Sequence, residues 1–181
     1  EYASTSFFNM FPQNMVAKRF GLFAETLVPT RDFKEIKGRP CVKDAFDERK
    51  GISIIATSKG DMHDEHDLFA AFLEKGKCDL ENLKKDGWVG NVQYRPYVEN
   101  GPVPEEQEPM RSVTLFELKD FVTIAKTKNK HVVLIARQCA QCGRTRAPAL
   151  RPLLEVPALR VWSEIVMDAA TAKELLTPQA S

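Results

Sequence analysis

Two short runs of β-branched and aliphatic residues constrain the fold of this chain more than any other feature. Residues 131–136, His-Val-Val-Leu-Ile-Ala, and residues 51–56, Gly-Ile-Ser-Ile-Ile-Ala, have the length and composition of buried strands. Each run is followed by a pattern that favours a helix. The sequence therefore predicts βα units within an α/β fold, with α+β as the alternative.

The elements around these strands can be placed from caps and apolar spacing. A turn is predicted at residues 58–60, and Asp61 or Asp64 is expected to cap the next helix, which contains Leu68 to Leu73 and has Gly76 at its C′ position. Thr114 and Glu117 form a capping-box pattern for a helix over residues 115–127. The remaining predictions are short helices over 15–23 and 80–85, a proline-interrupted helix over 146–154, a strand over 159–167 and a helix over 169–176.

Composition divides the chain into four segments. Residues 1–40 carry six Phe residues between prolines and predict an extended N-terminal arm, which we expect to pack on the chain's own core or on a neighbouring subunit. Residues 41–93 form a βα unit. Residues 94–110 contain four prolines and several glutamates, which predicts an irregular linker or strap. Residues 111–181 form the C-terminal part.

A cysteine pair follows the stronger of the two strands directly. The order of a helix, the strand at 131–136, Cys139-Ala140-Gln141-Cys142, a second helix and a second strand resembles the first half of a thioredoxin domain. Because few residues follow Cys142, the resemblance is to a truncated thioredoxin-like element. It implies that Cys139 is an attacking thiolate and Cys142 the resolving thiol of a redox pair.

Two other interpretations of Cys139 and Cys142 stay open. A structural zinc ion needs four ligands, so Cys41 and Cys78, His63 and His66, or a partner protein would have to supply the other two. Two ordinary buried thiols or a structural disulfide would need no further residues. The acidic segment around His63 and His66 is itself typical of a solvated helix N-terminus.

Charge and hydropathy exclude several classes of protein. The 181 residues include 26 Lys and Arg against 25 Asp and Glu, so nucleic acid is not expected as the primary partner. No apolar run approaches the roughly 20 residues of a transmembrane helix. The stretch from 2 to 24 lacks acidic residues, as transit segments do, which predicts a mitochondrial or other organellar location.

No complete catalytic constellation is found in the sequence. It therefore predicts a non-catalytic accessory or structural subunit of a mitochondrial assembly, such as a respiratory-chain or ribosomal complex, with other protein subunits as partners and no cofactor. The alternatives are a thiol-disulfide oxidoreductase or redox-regulated factor using Cys139 and Cys142, and a structural zinc-binding subunit.

Overall fold

A computed structural model describes residues 12, 14, 21–75 and 80–177 of the chain. Within these residues two β-sheets and seven helices form a mixed α/β fold, which confirms the predicted fold class. The strands are β1 (Leu27–Pro29), β2 (Ile54–Asp61), β3 (Trp88–Val92), β4 (Arg95–Val98), β5 (Gly101–Pro102), β6 (Met110–Ser112), β7 (His131–Ala136) and β8 (Glu164–Met167). The helices are α1 (Phe33–Gly38), α2 (Pro40–Glu48), α3 (Leu68–Lys75), α4 (Leu80–Lys85), α5 (Leu118–Ala125), α6 (Ala147–Glu155) and α7 (Ala169–Leu176).

The larger sheet has six strands in the order β5-β4-β3-β2-β7-β8. β2, β7 and β8 are parallel, and α6 forms part of the crossover between β7 and β8. β3, β4 and β5 form an antiparallel meander on the other side of β2. The two strands predicted from sequence are thus neighbours at the centre of one mixed sheet.

The main core lies on one face of this sheet. Burial alternates along β2 and β7, so that Ile55, Val132 and Leu134 pack with residues of α5 and α6. The opposite face leaves apolar side chains in solvent: Ile54 is 66% exposed, Ile135 40% and Val166 56%. Parallel strands are usually covered on both faces, so this open face is an uncommon feature of the fold.

A second, smaller unit contains β1, β6, α1 and α2. β1 and β6 pair with each other, and Val28, Phe33, Val42 and Phe46 form a separate apolar cluster with neighbouring residues. The predicted extended arm over 1–40 is therefore wrong for residues 27–38, which form a strand and a helix around Phe33. The predicted helix over 15–23, and Phe7, Phe8, Phe11 and Phe20, lie largely outside the described residues.

The predicted irregular strap over 94–110 is also wrong in part, because β4 and β5 lie within it. Proline does not prevent this pairing: Pro96 lies opposite Asn91, and Pro102 lies in the edge strand, where a missing N–H is tolerated. A buried ion pair between Arg95 and Glu105 secures the segment. The charges of this pair are therefore internal, whereas Glu99 and Glu106 of the same segment are exposed.

Most other elements are close to the predicted ones, with two instructive differences. β2 continues through the predicted turn at 58–60, because Ser58 pairs with β7 and Lys59 and Gly60 pair with β3. The capping box of α5 consists of Glu117 and Asp120 in place of Thr114 and Glu117. No helix in the described part of the chain is long and apolar enough to cross a membrane.

Candidate functional site

The two central parallel strands separate near their carboxyl ends. β2 and β7 are paired from Ile54 and His131 to Ser58 and Ile135; beyond that point β2 pairs with β3 and β7 with β8. After β2 the chain continues to β3 on one side of the sheet, and after β7 it continues to β8 on the other side. Ligands of open α/β sheets bind in the crevice outside the carboxyl ends of strands at such a point. The candidate site therefore comprises the β2 loop (residues 62–67) and the β7 loop (residues 137–146).

Three aspartates shape the β2 loop by accepting hydrogen bonds from backbone N–H groups two residues ahead, as Asp does in turns. The bonds join Asp61 Oδ1 to the N–H of His63 at 2.8 Å, Asp64 Oδ1 to that of His66 at 3.0 Å, and Asp67 Oδ1 to that of Phe69 at 2.8 Å. Asp67 precedes Leu68 and so caps α3, which the sequence assigned to Asp61 or Asp64. Asp61 and Asp64 instead fix the loop that faces the crevice.

A tight turn at the cysteine pair shapes the β7 loop. The N–H of Cys139 donates to the Arg144 carbonyl at 2.8 Å, and the N–H of Gly143 donates to the Cys139 carbonyl at 2.9 Å. Gly143 has a φ of 71°, which glycine adopts without strain. Hydrogen bonds from the backbone N–H groups of Cys142 and Gln141 lower the pKa of the Cys139 thiol. Cys139 is buried, Cys142 is exposed, and both are free thiols.

Two arginines of the β7 loop hold it against the β2 loop. Arg146 forms an ion pair with Asp64, whose side chain is almost fully buried. Arg144 donates to the His63 carbonyl. From β2, the Lys59 ammonium donates to the carbonyl of Arg146. These contacts close the base of the crevice.

Lys59 is the most strongly perturbed of these groups. It is only 3% exposed, and this burial lowers its pKa from 10.5 to about 7. The Asp61 carboxylate opposes the shift and the Arg146 charge adds to it. A lysine with this pKa gains or loses its proton near neutral pH, and such perturbed pKa values are common at functional sites.

A cavity of about 290 Å³ opens beside the carboxyl half of β2. Its most ordered wall is an acid-amide pair in which Asn91 Nδ2 donates to Asp67 Oδ2 at 2.9 Å. The pair lies over Gly60: a Cβ at that position would lie 1.9 Å from Asp67 Oδ2, so only glycine fits. Burial raises the pKa of the Asp67 carboxyl, against the hydrogen bonds that it accepts.

The turn between β3 and β4 supplies another wall of this cavity. Its two residues, Gln93 and Tyr94, have φ values of 50° and 62°, a left-handed conformation that glycine or asparagine usually provides in two-residue hairpins. The Tyr94 ring contacts Phe72 edge-on, with ring centroids 5.5 Å apart. Strained residues of this kind are concentrated at functional sites.

The two loops also bring together four side chains that can ligate a metal. One ligand atom from each of Asp64, His66, Cys139 and Cys142 lies within 4.8 Å of the others. His63 is not in this group. Cys41 is exposed on α2, and Cys78 lies outside the described residues.

Sequence reasoning did not single out Lys59, Asp67 or Asn91, and it considered Arg146 only as a charge near the cysteine pair. Lys59 was assigned to a turn, and Asp64 was interpreted as a helix cap. One signal was available: acidic residues predominate from Asp61 to Glu108 and basic ones from Met110 to Arg160, and the Asp64–Arg146 pair joins these two regions.

The fold and this crevice define a mixed α/β domain with a site at the carboxyl ends of its parallel strands. No protein-family model matches the sequence, and no curated protein is similar to it. Solved structures are similar in fold. A DeoR family transcriptional regulator from Listeria monocytogenes matches over 86% of this chain and 57% of its own, with 16% identity and a TM-score of 0.61.

Two further structures are of the same kind. The full-length sorbitol operon regulator SorC from Klebsiella pneumoniae matches over 85% of this chain and 46% of its own, with 14% identity and a TM-score of 0.61. A domain described as sugar-binding, from a transcriptional repressor of Vibrio fischeri, matches over 86% of this chain and 56% of its own, with 16% identity and a TM-score of 0.57. The chain thus spans about half the length of these proteins, and the likeness concerns the fold.

These matches correct the resemblance and the function expected from sequence. The thioredoxin-like interpretation of residues 111–181 is wrong, because the neighbours in fold are domains of transcriptional regulators. The prediction of an accessory subunit of an organellar assembly, with the redox factor as its alternative, is wrong for the same reason. Zinc binding at Cys139 and Cys142 is not tested by these matches and stays a prediction. The mitochondrial location is wrong as well, since the neighbours are bacterial proteins.

Proposed function

We propose that this chain is a ligand-binding domain that holds a sugar or a related polyhydroxylated compound in the cavity beside β2. The observation that carries the proposal is the position of this polar cavity, at the point where β2 and β7 separate. Its lining includes Arg146 from the β7 loop and Asp67 from the β2 loop. The fold neighbours that include a domain described as sugar-binding add support.

The lining has the chemistry that hydroxyl groups need. The Asp67 carboxylate accepts hydrogen bonds, the Asn91 amide both donates and accepts, and Tyr94 offers a ring and a hydroxyl. At about 290 Å³ the cavity is at the small end of the roughly 300–1,000 Å³ range of ligand pockets. A larger cavity of about 800 Å³ lies between α6 and β3–β4, and its lining includes no residue of the β7 loop.

The charges around the cavity favour a neutral sugar over a phosphorylated one. Arg146 is already paired with Asp64, and Lys59 has a pKa of about 7, so neither supplies a full unpaired positive charge. The Asp67 carboxylate would repel a phosphate. We therefore expect neutral sugars and sugar alcohols to bind more tightly than their phosphate esters.

Glycine substitutions in the strained turn separate binding from folding. Gln93→Gly and Tyr94→Gly remove side chains from the cavity and relieve a backbone conformation that costs of the order of 1 kcal/mol or more. In calorimetric titrations with a panel of sugars, we expect each to weaken binding about two- to tenfold, the effect of one lost hydrogen bond. Thermal stability should not fall in Gln93→Gly, whereas Tyr94→Gly also loses the ring contact with Phe72 and should be less stable.

Asn129→Gly is the matched control, because Asn129 is the third described non-glycine residue with positive φ, at 63°, and lies in the turn after α5. It should leave sugar affinity unchanged. Absence of binding across the panel, or wild-type affinity in both turn variants, would contradict the proposal. Tighter binding of the phosphate esters would contradict the preference for a neutral ligand.

A further inference from the structure

We propose that Asp64, His66, Cys139 and Cys142 bind a divalent transition-metal ion of the zinc class between the β2 loop and the β7 loop. The proposal rests on the gathering of one ligand atom from each residue within 4.8 Å. It goes beyond sugar binding and does not depend on it, because the four residues need no second ligand to act.

The distances suit a tetrahedral ion after a small closure. Zinc bonds of about 2.0–2.3 Å place tetrahedral ligand atoms roughly 3.3–3.8 Å apart. From a spread of 4.8 Å, movements of about an ångström are enough. Asp64 and Cys139 are buried and form a fixed half of the site, whereas His66 and Cys142 are exposed and their side chains can turn towards the ion.

The buried Asp64 carboxylate already has hydrogen bonds of the kind that orient metal ligands in proteins. Asp64 accepts from the N–H of His66 and from the Arg146 guanidinium. The turn that carries Cys139 is held by its backbone: the N–H of Cys139 donates to the Arg144 carbonyl, and the N–H of Gly143 donates to the Cys139 carbonyl. Such outer contacts hold ligands in place and stabilise their negative charge.

The ligand set selects the kind of ion. Two thiolates and an imidazole favour zinc and similar ions, and disfavour magnesium and calcium, which take oxygen ligands. Two thiolates and the Asp64 carboxylate carry three negative charges, of which a divalent ion neutralises two. The paired Arg146 balances the remaining one.

The ion would link two loops that otherwise meet through a few polar contacts. Because the ligands come from both sides of the separation between β2 and β7, the folded chain presents the complete set and the unfolded chain does not. Metal binding should therefore stabilise the fold. It would also fix His66, which lines the cavity beside β2.

Cobalt(II) and zinc titrations of the reduced, metal-free full chain test the proposal. We expect one cobalt per chain, with the thiolate charge-transfer absorption and the strong visible bands of a tetrahedral site. Zinc should displace cobalt and raise the melting temperature. Cys142→Ser should remove the tetrahedral spectrum, and His66→Asn should weaken zinc binding at least tenfold.

Two variants serve as controls, because each changes a residue of the same type as a proposed ligand at a position outside the ligand group. His63→Asn changes the other histidine of the β2 loop, and Cys41→Ser removes an exposed thiol on α2; neither should alter the spectrum or the affinity. Arg146→Gln removes an outer contact of Asp64 and should weaken binding about 10–100-fold. Circular dichroism of each variant checks that the fold is retained.

The outcomes are decisive in both directions. Loss of the tetrahedral spectrum in Cys142→Ser and weakened binding in His66→Asn, with wild-type behaviour of both controls, support the site. Binding that depends on Cys41 or Cys78, binding unchanged by His66→Asn, or no cobalt spectrum in the reduced protein would each overturn it. A metal-binding chain that takes no sugar would refute only the proposed function.

Discussion

At the scale of single residues, burial of one lysine gives the folded chain a pH dependence. Lys59 is buried at the base of the crevice, and its charged neighbours are Asp61, Asp64, Asp67 and Arg146. Its pKa is about 7 in the folded chain against an ordinary value of 10.5. Between these two values the unfolded chain carries a proton that the folded chain has released.

We therefore predict that the contribution of Lys59 to the free energy of unfolding rises with pH above 7. The slope is at most about 1.4 kcal/mol per pH unit, the value for one proton. Urea denaturation at pH 7, 8 and 9 should show this rise, and Lys59→Met should remove it. Lys126→Met, at an exposed position after α5, should leave the slope as it is. An unchanged slope in Lys59→Met would show that Lys59 stays charged when the chain folds.

The sequence named three of the four residues of the metal-ligand group: Cys139 and Cys142 as a pair, and His66 as one of several candidates for the other two ligands. Cys139 and Cys142 are recognisable because their spacing is itself a ligand pattern. Asp64 is not, since an aspartate ahead of an apolar run has the same pattern whether it caps a helix or faces a crevice. Its role comes from Arg146, which is 82 residues away in the chain.

At the scale of elements, local patterns predicted strands and helices where burial is simple. β7 has the predicted bounds because both sides of it pair with parallel strands. The hairpin of β3 and β4 was missed because its turn residues, Gln93 and Tyr94, are not turn formers. The meander is instead secured by tertiary contacts of Arg95, which no local pattern reveals.

Arg95 joins β4 to the segment that precedes α5. Its guanidinium pairs with Glu105 and donates to Thr114 Oγ1 and the Phe116 carbonyl, both at 2.8 Å. Arg95→Met leaves the buried Glu105 carboxylate unpaired, so we predict a loss of about 3–5 kcal/mol in the free energy of unfolding. Glu35→Gln, in an exposed pair with Arg39, should cost less than about 1 kcal/mol. Urea denaturation measures both, and equal losses would mean that the Arg95 pair is solvated.

At the scale of the whole molecule, α5 and α6 cover one face of the sheet, and on the other face the described residues leave Ile54, Ile135 and Val166 exposed. A buried strand and an open one have similar apolar sequences when the strand is short, so the sequence did not distinguish them. The residues on the open face are Ile54, Ile135 and Val166, from three adjacent parallel strands. Ile135 and Val166 lie opposite each other, whereas Ile54 lies opposite His131, so the three are exposed apolar residues of one face and not one continuous patch.

We predict that these three exposed positions can be made polar without unfolding the chain. The triple variant Ile54→Thr, Ile135→Thr, Val166→Thr keeps β-branched side chains, and each change at an exposed position should cost about 0.5 kcal/mol or less. The fluorescence of a dye that binds apolar surface should fall at the same time. Leu134→Ala, one residue from Ile135 but in the main core, should cost about 2–5 kcal/mol. If the triple variant loses as much stability as Leu134→Ala, these three side chains are covered in the folded protein and the sheet is closed on both faces.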